Sequence, residues 1–518
     1  MPASRPYSDS WLIAGLLLLA ASLRVVAALT FAYTHDEVQV IQRGLEHLAA
    51  PPLTDRFNHV AFDVPLTTSN AITPLWLWIQ AANAWLTPAA PVWTRLPAML
   101  FSLVAVLLIF RLVRPRLGRA TASAAALSFV LSDLCLWTGA KSEFTEPLLL
   151  VVTLLALDRM LRVDLKHFVV GALALSLAPL TYLGKGLFLY ALVGLWVAAT
   201  AWDRVVTSEI DRATAVREAV TRLAILAASL LPTVLWLVAA HARLKFLGTY
   251  GLVLQGDLGP IHSLVEQVRR TTIGYFDERD FLRGSWHTML IVYHHLAAWP
   301  TSTLMAPWAA LGLALGCDRL RRESQPATRA LLWTLPTMGL VPFLYLLFRG
   351  YEGGRFTLLY QVPFSIAIGI GVVAVARGLL AESQRERLTA GLAVAGAGLY
   401  AALAASMTSW SNGSYDTEQL AWRALAWLVL VVFAAGGTTA LRTQGAERRP
   451  TFKLLATFPL TLLLLAQLVL LTSHGPLLWG RWQGWGVEGN NATDFERRLE
   501  VMHPELRDYL ALGPAVDP

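Results

Sequence analysis

The chain has 518 residues, 55% of them hydrophobic and only 15% charged, and its mean hydropathy is +0.52. Such a composition excludes a string of soluble globules and points to an integral membrane protein, in which length counts spans rather than domains. The net charge of +7 does not indicate a nucleic-acid partner, because Lys and Arg sit in short loops between apolar runs and no basic domain is present to grip a duplex.

The first run, 11–31, supplies about the twenty apolar residues that cross a hydrocarbon core roughly 30 Å thick. It is long for a signal peptide and lacks a small-residue cleavage site, so it is expected to stay as an anchor. Directly after it, in THDEV (34–38), stand two adjacent acids, Asp36 and Glu37. As residues alone they fit two readings, a solvated helix end or a general base near the bilayer, where partial desolvation raises a carboxylate pKa.

The segment that follows is long enough to fold. Within it TPLWLWIQAANAWL (73–86) is apolar but short for a span, and is predicted to lie in the interface as an amphipathic helix. Further apolar runs occupy 97–113, 120–138, 146–161, 168–183, 186–202, 222–241, 296–316, 329–348, 356–376, 388–407, 420–438 and 453–472. With the first run they predict an all-α polytopic protein of about thirteen spans. The two cysteines, Cys135 and Cys317, fall near span ends on opposite sides and suggest neither a disulfide nor a metal site.

Basic loops set the orientation. The segments 111–119, 158–166, 203–222, 317–324, 376–387 and 441–449 are rich in Lys and Arg and all fall on one side, which is predicted to be cytoplasmic. The opposite side receives the long loops 32–95 and 242–295, three short loops and the tail after 473. Residues 1–472 are therefore expected to form one transmembrane module, with 473–518 a short extracytoplasmic tail.

Against that topology, the charges on the outer side stand out. Glu143 and Glu146 sit three apart at the mouth of a span, where acids also favour a first helical turn and Ser142 can cap. Lys141, Lys185 and Arg355 are outward cations that the positive-inside tendency disfavours. Singly each fits snorkelling to headgroups; together with the acids they suggest a site for an anionic, lipid-linked substrate. Lys185, in LGKGL, has a glycine on each side, where backbone can approach a ligand closely. Arg24, inside the first run, is the exception, and is read as pairing with an acid or snorkelling.

The order of these pieces resembles the membrane-embedded GT-C type glycosyltransferases of the protein O-mannosyltransferase and lipid A aminoarabinose transferase family. The resemblance is carried by THDEV (34–38), ITPLWLWIQAANAWL (72–86), VWTRLPAML (92–100), KSEFTEPLLL (141–150), LTYLGKG (180–186), the 279–307 segment and GGRFTLLYQVP (353–363). Thr73 replaces a lysine that the aminoarabinose transferases carry. The resemblance implies a polyprenyl-phosphate-linked sugar donor, a lipid, glycan or protein acceptor, and transfer with inversion on the extracytoplasmic face of a bacterial plasma membrane. It implies Asp36 as base with Glu37 beside it, and Lys185, Arg355 and Arg95 on the donor phosphate, with Lys141 and Arg283 behind them. Glu143 and Glu146 are then a second acidic site; carboxylates without histidine spacing are weak evidence for a divalent metal. The competing class is a transporter or lipid-linked sugar flippase, which tends to keep its binding groups near the bilayer midplane on repeated broken helices.

Overall fold

The computed structural model describes residues 7–30, 37, 40, 74–87, 90–142, 145–162, 164–236, 300–342 and 361–407. The described elements are all helical: α1 (Tyr7–Thr30), α2 (Pro74–Leu86), α3 (Pro91–Thr94), α4 (Leu96–Leu117), α5 (Arg119–Leu131), α6 (Asp133–Thr138), α7 (Glu146–Met160) and α8 (Leu165–Leu175). They continue with α9 (Leu177–Thr181), α10 (Leu183–Val206), α11 (Arg212–Ser229), α12 (Pro300–Leu320), α13 (Pro326–Thr334), α14 (Gln361–Leu379) and α15 (Gln384–Met407). Among the described residues five helices are long and apolar enough to cross a membrane: Asp9–Leu29, Leu96–Leu117, Gly184–Val206, Arg212–Trp236 and Gln361–Leu379. The chain is an integral membrane protein. The last two predicted spans, the 242–295 loop and the tail lie outside the described residues.

Several predicted spans are broken where hydropathy runs on without a pause. The run 120–138 divides into α5 and α6 at Ser132, whose backbone is extended. The run 168–183 divides into α8 and α9 and ends at an extended Tyr182. After α13 the helix widens into a π turn over Leu335–Leu340; Pro336 lacks the N–H that a regular turn would use, and the wider turn accommodates the loss. Gly118, with φ +88°, ends α4 and opens α5, a left-handed conformation that glycine adopts without a Cβ penalty.

The core forms where α4 packs on α5 and α7, and a second cluster forms where α14 packs on α12 and α5. The latter contact depends on small residues: a Cβ at Gly312 would fall 1.6 Å from the Ala367 carbonyl oxygen, and one at Gly371 2.5 Å from that of Trp308. Between helices in lipid, such close backbone approach and its dispersion contacts replace the hydrophobic drive of a soluble core.

Charged contacts mark one end of the bundle. Arg114 and Arg119 pair with Asp9 at the start of α1. Thr328 Oγ1 donates to the Arg116 carbonyl at 3.4 Å, and Arg329 pairs with both Asp203 and Glu209. The basic loops around 111–119 and 203–211 and the start of α13 thus share one end, as their alternation in sequence predicts. At the opposite end, α2 is present as a helix but packs more deeply than an interfacial helix needs. Trp76 is 0% exposed and meets Phe101 with ring centroids 6.2 Å apart, whereas Trp85 at the far end of α2 is 75% exposed.

Candidate active site

The end of the bundle opposite the basic loops holds two buried ion pairs. In the first, Arg95 grips Glu37 with both arms: Nε donates to Oε1 and Nη2 to Oε2, each at 2.8 Å, while Nη1 donates to the Ala28 carbonyl at 2.5 Å. Both side chains are 0% exposed. Arg95 stands between α3 and α4 and is followed by Pro97 in the first turn, so the end of the span itself aims the guanidinium across to α1. Planar, two-point contact is the geometry in which arginine binds carboxylate most strongly.

Ser142 completes the clamp. Its backbone N–H and its hydroxyl each donate to Glu37 Oε1 at 2.9 Å, and its carbonyl accepts the Trp76 indole N–H at 2.9 Å. α1, α2, α4 and the segment after α6 therefore meet at one carboxylate. Burial works against ionising Glu37, yet its pKa lies below the ordinary value: the charge and hydrogen bonds of Arg95, the charge of Lys141 and the Ser142 N–H together outweigh the dehydration. A carboxylate so held is a poor proton acceptor and a rigid anchor for its neighbour in sequence. That neighbour, Asp36, lies outside the described residues.

The second pair joins Lys185, in the first turn of α10, to Glu146, which opens α7. Both are 3% exposed, and the Lys185 ammonium sits 4.5 Å from the centroid of the Tyr182 ring. Residues assigned by sequence to different roles, a donor-phosphate cation and a second acidic site, are thus direct partners. The acid-in-first-turn reading of Glu146 holds as well. Glycine beside Lys185 serves the chain rather than a ligand: a Cβ at Gly186 would fall 2.3 Å from the Pro179 nitrogen, so the residue lets α10 fold back against α9.

The two pairs share a segment. Ser142 binds Glu37 and Glu146 binds Lys185, and four residues span at most about 14 Å of chain. Below Glu146 a narrow cavity runs between α7, α10, the π turn and α14, lined by Leu149, Thr153, Leu189, Met338 and Ile366 among others.

Arg95, expected from the sequence on the donor phosphate, directs its three nitrogens to Glu37 and Ala28. Ser142, expected only as a helix cap, is a Glu37 ligand that the sequence does not reveal. Arg24 neither snorkels nor pairs with an acid among the described residues: it is 0% exposed and its Nε donates to Ser102 Oγ at 2.6 Å. Glu143, Arg283 and Arg355 lie outside the described residues. Among the described residues no group of three or more His, Cys, Asp or Glu is placed to hold a metal ion.

No protein-family model matches the chain, and no curated protein sequence matches it. Among solved structures it is similar to ArnT from Cupriavidus metallidurans bound to undecaprenyl phosphate, at 13% identity over 88% of this chain and 78% of that one, with a TM-score of 0.44. It is also similar to the archaeal oligosaccharyltransferase AglB from Archaeoglobus fulgidus in complex with an inhibitory peptide and a dolichol-phosphate, at 13% identity and a TM-score of 0.43. That match covers 86% of this chain and 57% of the oligosaccharyltransferase, so the chain spans less than two thirds of AglB's length.

Proposed function

We propose that the chain is a glycosyltransferase that moves a sugar from a polyprenyl-phosphate carrier to a lipid, glycan or protein acceptor on the extracytoplasmic face of a bacterial plasma membrane, with inversion at the anomeric carbon. The observation that carries this reading is the Glu37 clamp. It fixes the residue next to Asp36 at the end of the bundle away from the basic loops, where a lipid-linked sugar and an external acceptor can meet.

In this reading Asp36 takes the proton of the acceptor hydroxyl as its oxygen attacks the anomeric carbon. The bond from that carbon to the phosphate oxygen breaks, and the polyprenyl phosphate leaves with the electron pair. Glu37 and Arg95 do not exchange protons; they orient Asp36. Negative charge grows on the leaving phosphate, so a preplaced cation lowers the barrier most. Lys185 is the cation so assigned, together with Arg355, and Glu146 holds the ammonium in place until phosphate shares it. Residues 1–472 act as the transferase module and 473–518 as its outer tail.

The test is purified protein in detergent, supplied with a panel of undecaprenyl-phosphate-linked sugars and with envelope lipid, glycan and peptide acceptors. Sugar transfer is expected from the intact chain, and Asp36→Asn, which keeps shape and removes the proton acceptor, should lower turnover by on the order of 10² or more. Near-normal turnover in that variant removes Asp36 from the chemistry. Transport of a sugar lipid across vesicles without any transfer product would replace the reading with the flippase class.

A further inference from the structure

The geometry points to Arg24 as a positioning residue that sets the hydrogen bonding of Glu37 from beneath, through Ser102, Gly139 and Ser142. Arg24 lies six residues before the end of α1, about 9 Å below it along the helix axis, and is fully buried. Its guanidinium crosses to α4, where Nε donates to Ser102 Oγ at 2.6 Å, and returns to its own helix through Nη1 and the Ala20 carbonyl at 3.2 Å. Nη2 has no hydrogen-bond partner among the described residues.

That is an expensive arrangement for packing alone. A buried charge held by one hydroxyl and one carbonyl, both neutral, does not recover its hydration, and a leucine would fill the space at less cost. What the arginine does fix is the Ser102 side chain, and on that side chain rests the loop that reaches Glu37. A Cβ at Gly139 would fall 2.7 Å from Ser102 Oγ and 2.9 Å from Ser102 Cβ, so the Gly139 backbone lies directly against Ser102. Three residues on, Ser142 makes its two bonds to Glu37.

The two buried arginines are reciprocal. Arg24 reaches from α1 to α4, and Arg95, at the start of α4, reaches back to the Ala28 carbonyl of α1 one turn above Arg24. Arg95 holds the Glu37 carboxylate from one side, and the Arg24–Ser102 contact seats the loop that holds it from the other. Among the described residues the charged groups that face Glu37 are Arg95 and Lys141, and Ser142 supplies neutral donors. As a contribution to catalysis the inference rests on the glycosyltransferase reading; as a linkage to Glu37 it does not.

The experiment is an infrared pH titration of the full chain in detergent, with Glu37→Gln in each background identifying the Glu37 carboxyl band. Losing Ser142 donors weakens the ionised form, so in Arg24→Leu and in Ser102→Ala the Glu37 protonation midpoint should rise by about one pH unit, and in Arg24→Lys by less. If Arg24→Leu does not fold, the milder Ser102→Ala carries the test. General loss of stability reduces the amount of folded protein without moving the midpoint of what remains. With an undecaprenyl-phosphate-linked sugar that the intact chain transfers, Arg24→Leu should lower kcat about tenfold and leave KM unchanged. An unmoved midpoint in folded Arg24→Leu and Ser102→Ala, or an unchanged kcat, overturns the inference. No transfer by the intact chain overturns the proposed function and leaves the midpoint result standing.

Discussion

The two ends of the bundle use the same residue types in opposite ways. At the basic-loop end, Arg329 is 4% exposed but shares itself between Asp203 and Glu209, which are 15% and 29% exposed, and Arg204 is shared between Glu209 and Glu218. At the other end the two described acids, Glu37 and Glu146, each have one dominant cation, and the Glu37–Arg95 and Glu146–Lys185 pairs are shut away from solvent. A shared, half-wet network tolerates the loss of a member because another acid and water stand by. A closed dry pair returns little or no net stability over apolar residues of the same shape, and punishes the loss of either partner. The difference separates charges that tie loops together from charges whose fixed position is the point.

The largest effect that would sharpen this contrast concerns Lys185. Lys185→Ala removes the cation assigned to the leaving phosphate and should reduce turnover by on the order of 10², measured with undecaprenyl-phosphate-linked sugars in detergent. Lys185→Arg, which keeps the charge but replaces a compact ammonium with a planar fork, should recover part of it. Turnover within twofold of the intact chain in Lys185→Ala would place this pair with the structural charges of the other end.

A smaller effect follows from pH. Glu37 is held below the ordinary carboxylate range, so its ionised form is favoured in the folded state. The stability it contributes is full above the unfolded value of about 4.3 and is lost only as pH falls through the lower folded value. The difference in melting temperature between the intact chain and Glu37→Gln should therefore be flat from neutral pH down to that range and shrink in stronger acid. A difference that vanishes already near pH 6 would mean that Glu37 is not clamped.

The smallest effect belongs to the basic-loop end. In Asp203→Asn, Arg329 keeps Glu209 and the Thr207 hydroxyl, so the cost should be about 1 kcal/mol or less, with turnover unchanged. A loss of transfer in that variant would erase the distinction between the two ends.

Much of the architecture was legible in the sequence, because long apolar runs report directly on lipid and the alternation of basic loops on which loops share an end of the bundle. The helices found over 96–117, 146–160, 183–206 and 361–379 lie where those runs predict. The breaks at Ser132 and Tyr182 were not legible, since neither interrupts the hydropathy and each follows from how neighbouring helices pack. At the site, Asp36, Glu37, Glu146, Lys185 and Arg95 stand out singly in the sequence as charges away from the basic loops. Their pairing does not, because partners 58 and 39 residues apart share no spacing rule, and only the fold can reveal that Arg95 faces Glu37. Ser142 gives no signal beyond a cap because its two donors act through position. Arg24 was visible only as a charge in the wrong place, and the hydroxyl that receives it lies two turns into another helix.

The most direct test of the central claim, that the Glu37–Arg95 pair exists for the reaction rather than for the fold, is to measure unfolding and sugar transfer together in Arg95→Leu and in the double variant Glu37→Leu with Arg95→Leu. Arg95→Leu leaves a buried carboxylate without its counter-charge and should cost about 3–5 kcal/mol. The double variant removes both charges and should be more stable than Arg95→Leu, short of the intact chain by about 1–3 kcal/mol for each Ser142 donor left without its acceptor, yet transfer no sugar because nothing orients Asp36. Full transfer by a stable double variant would contradict the claim.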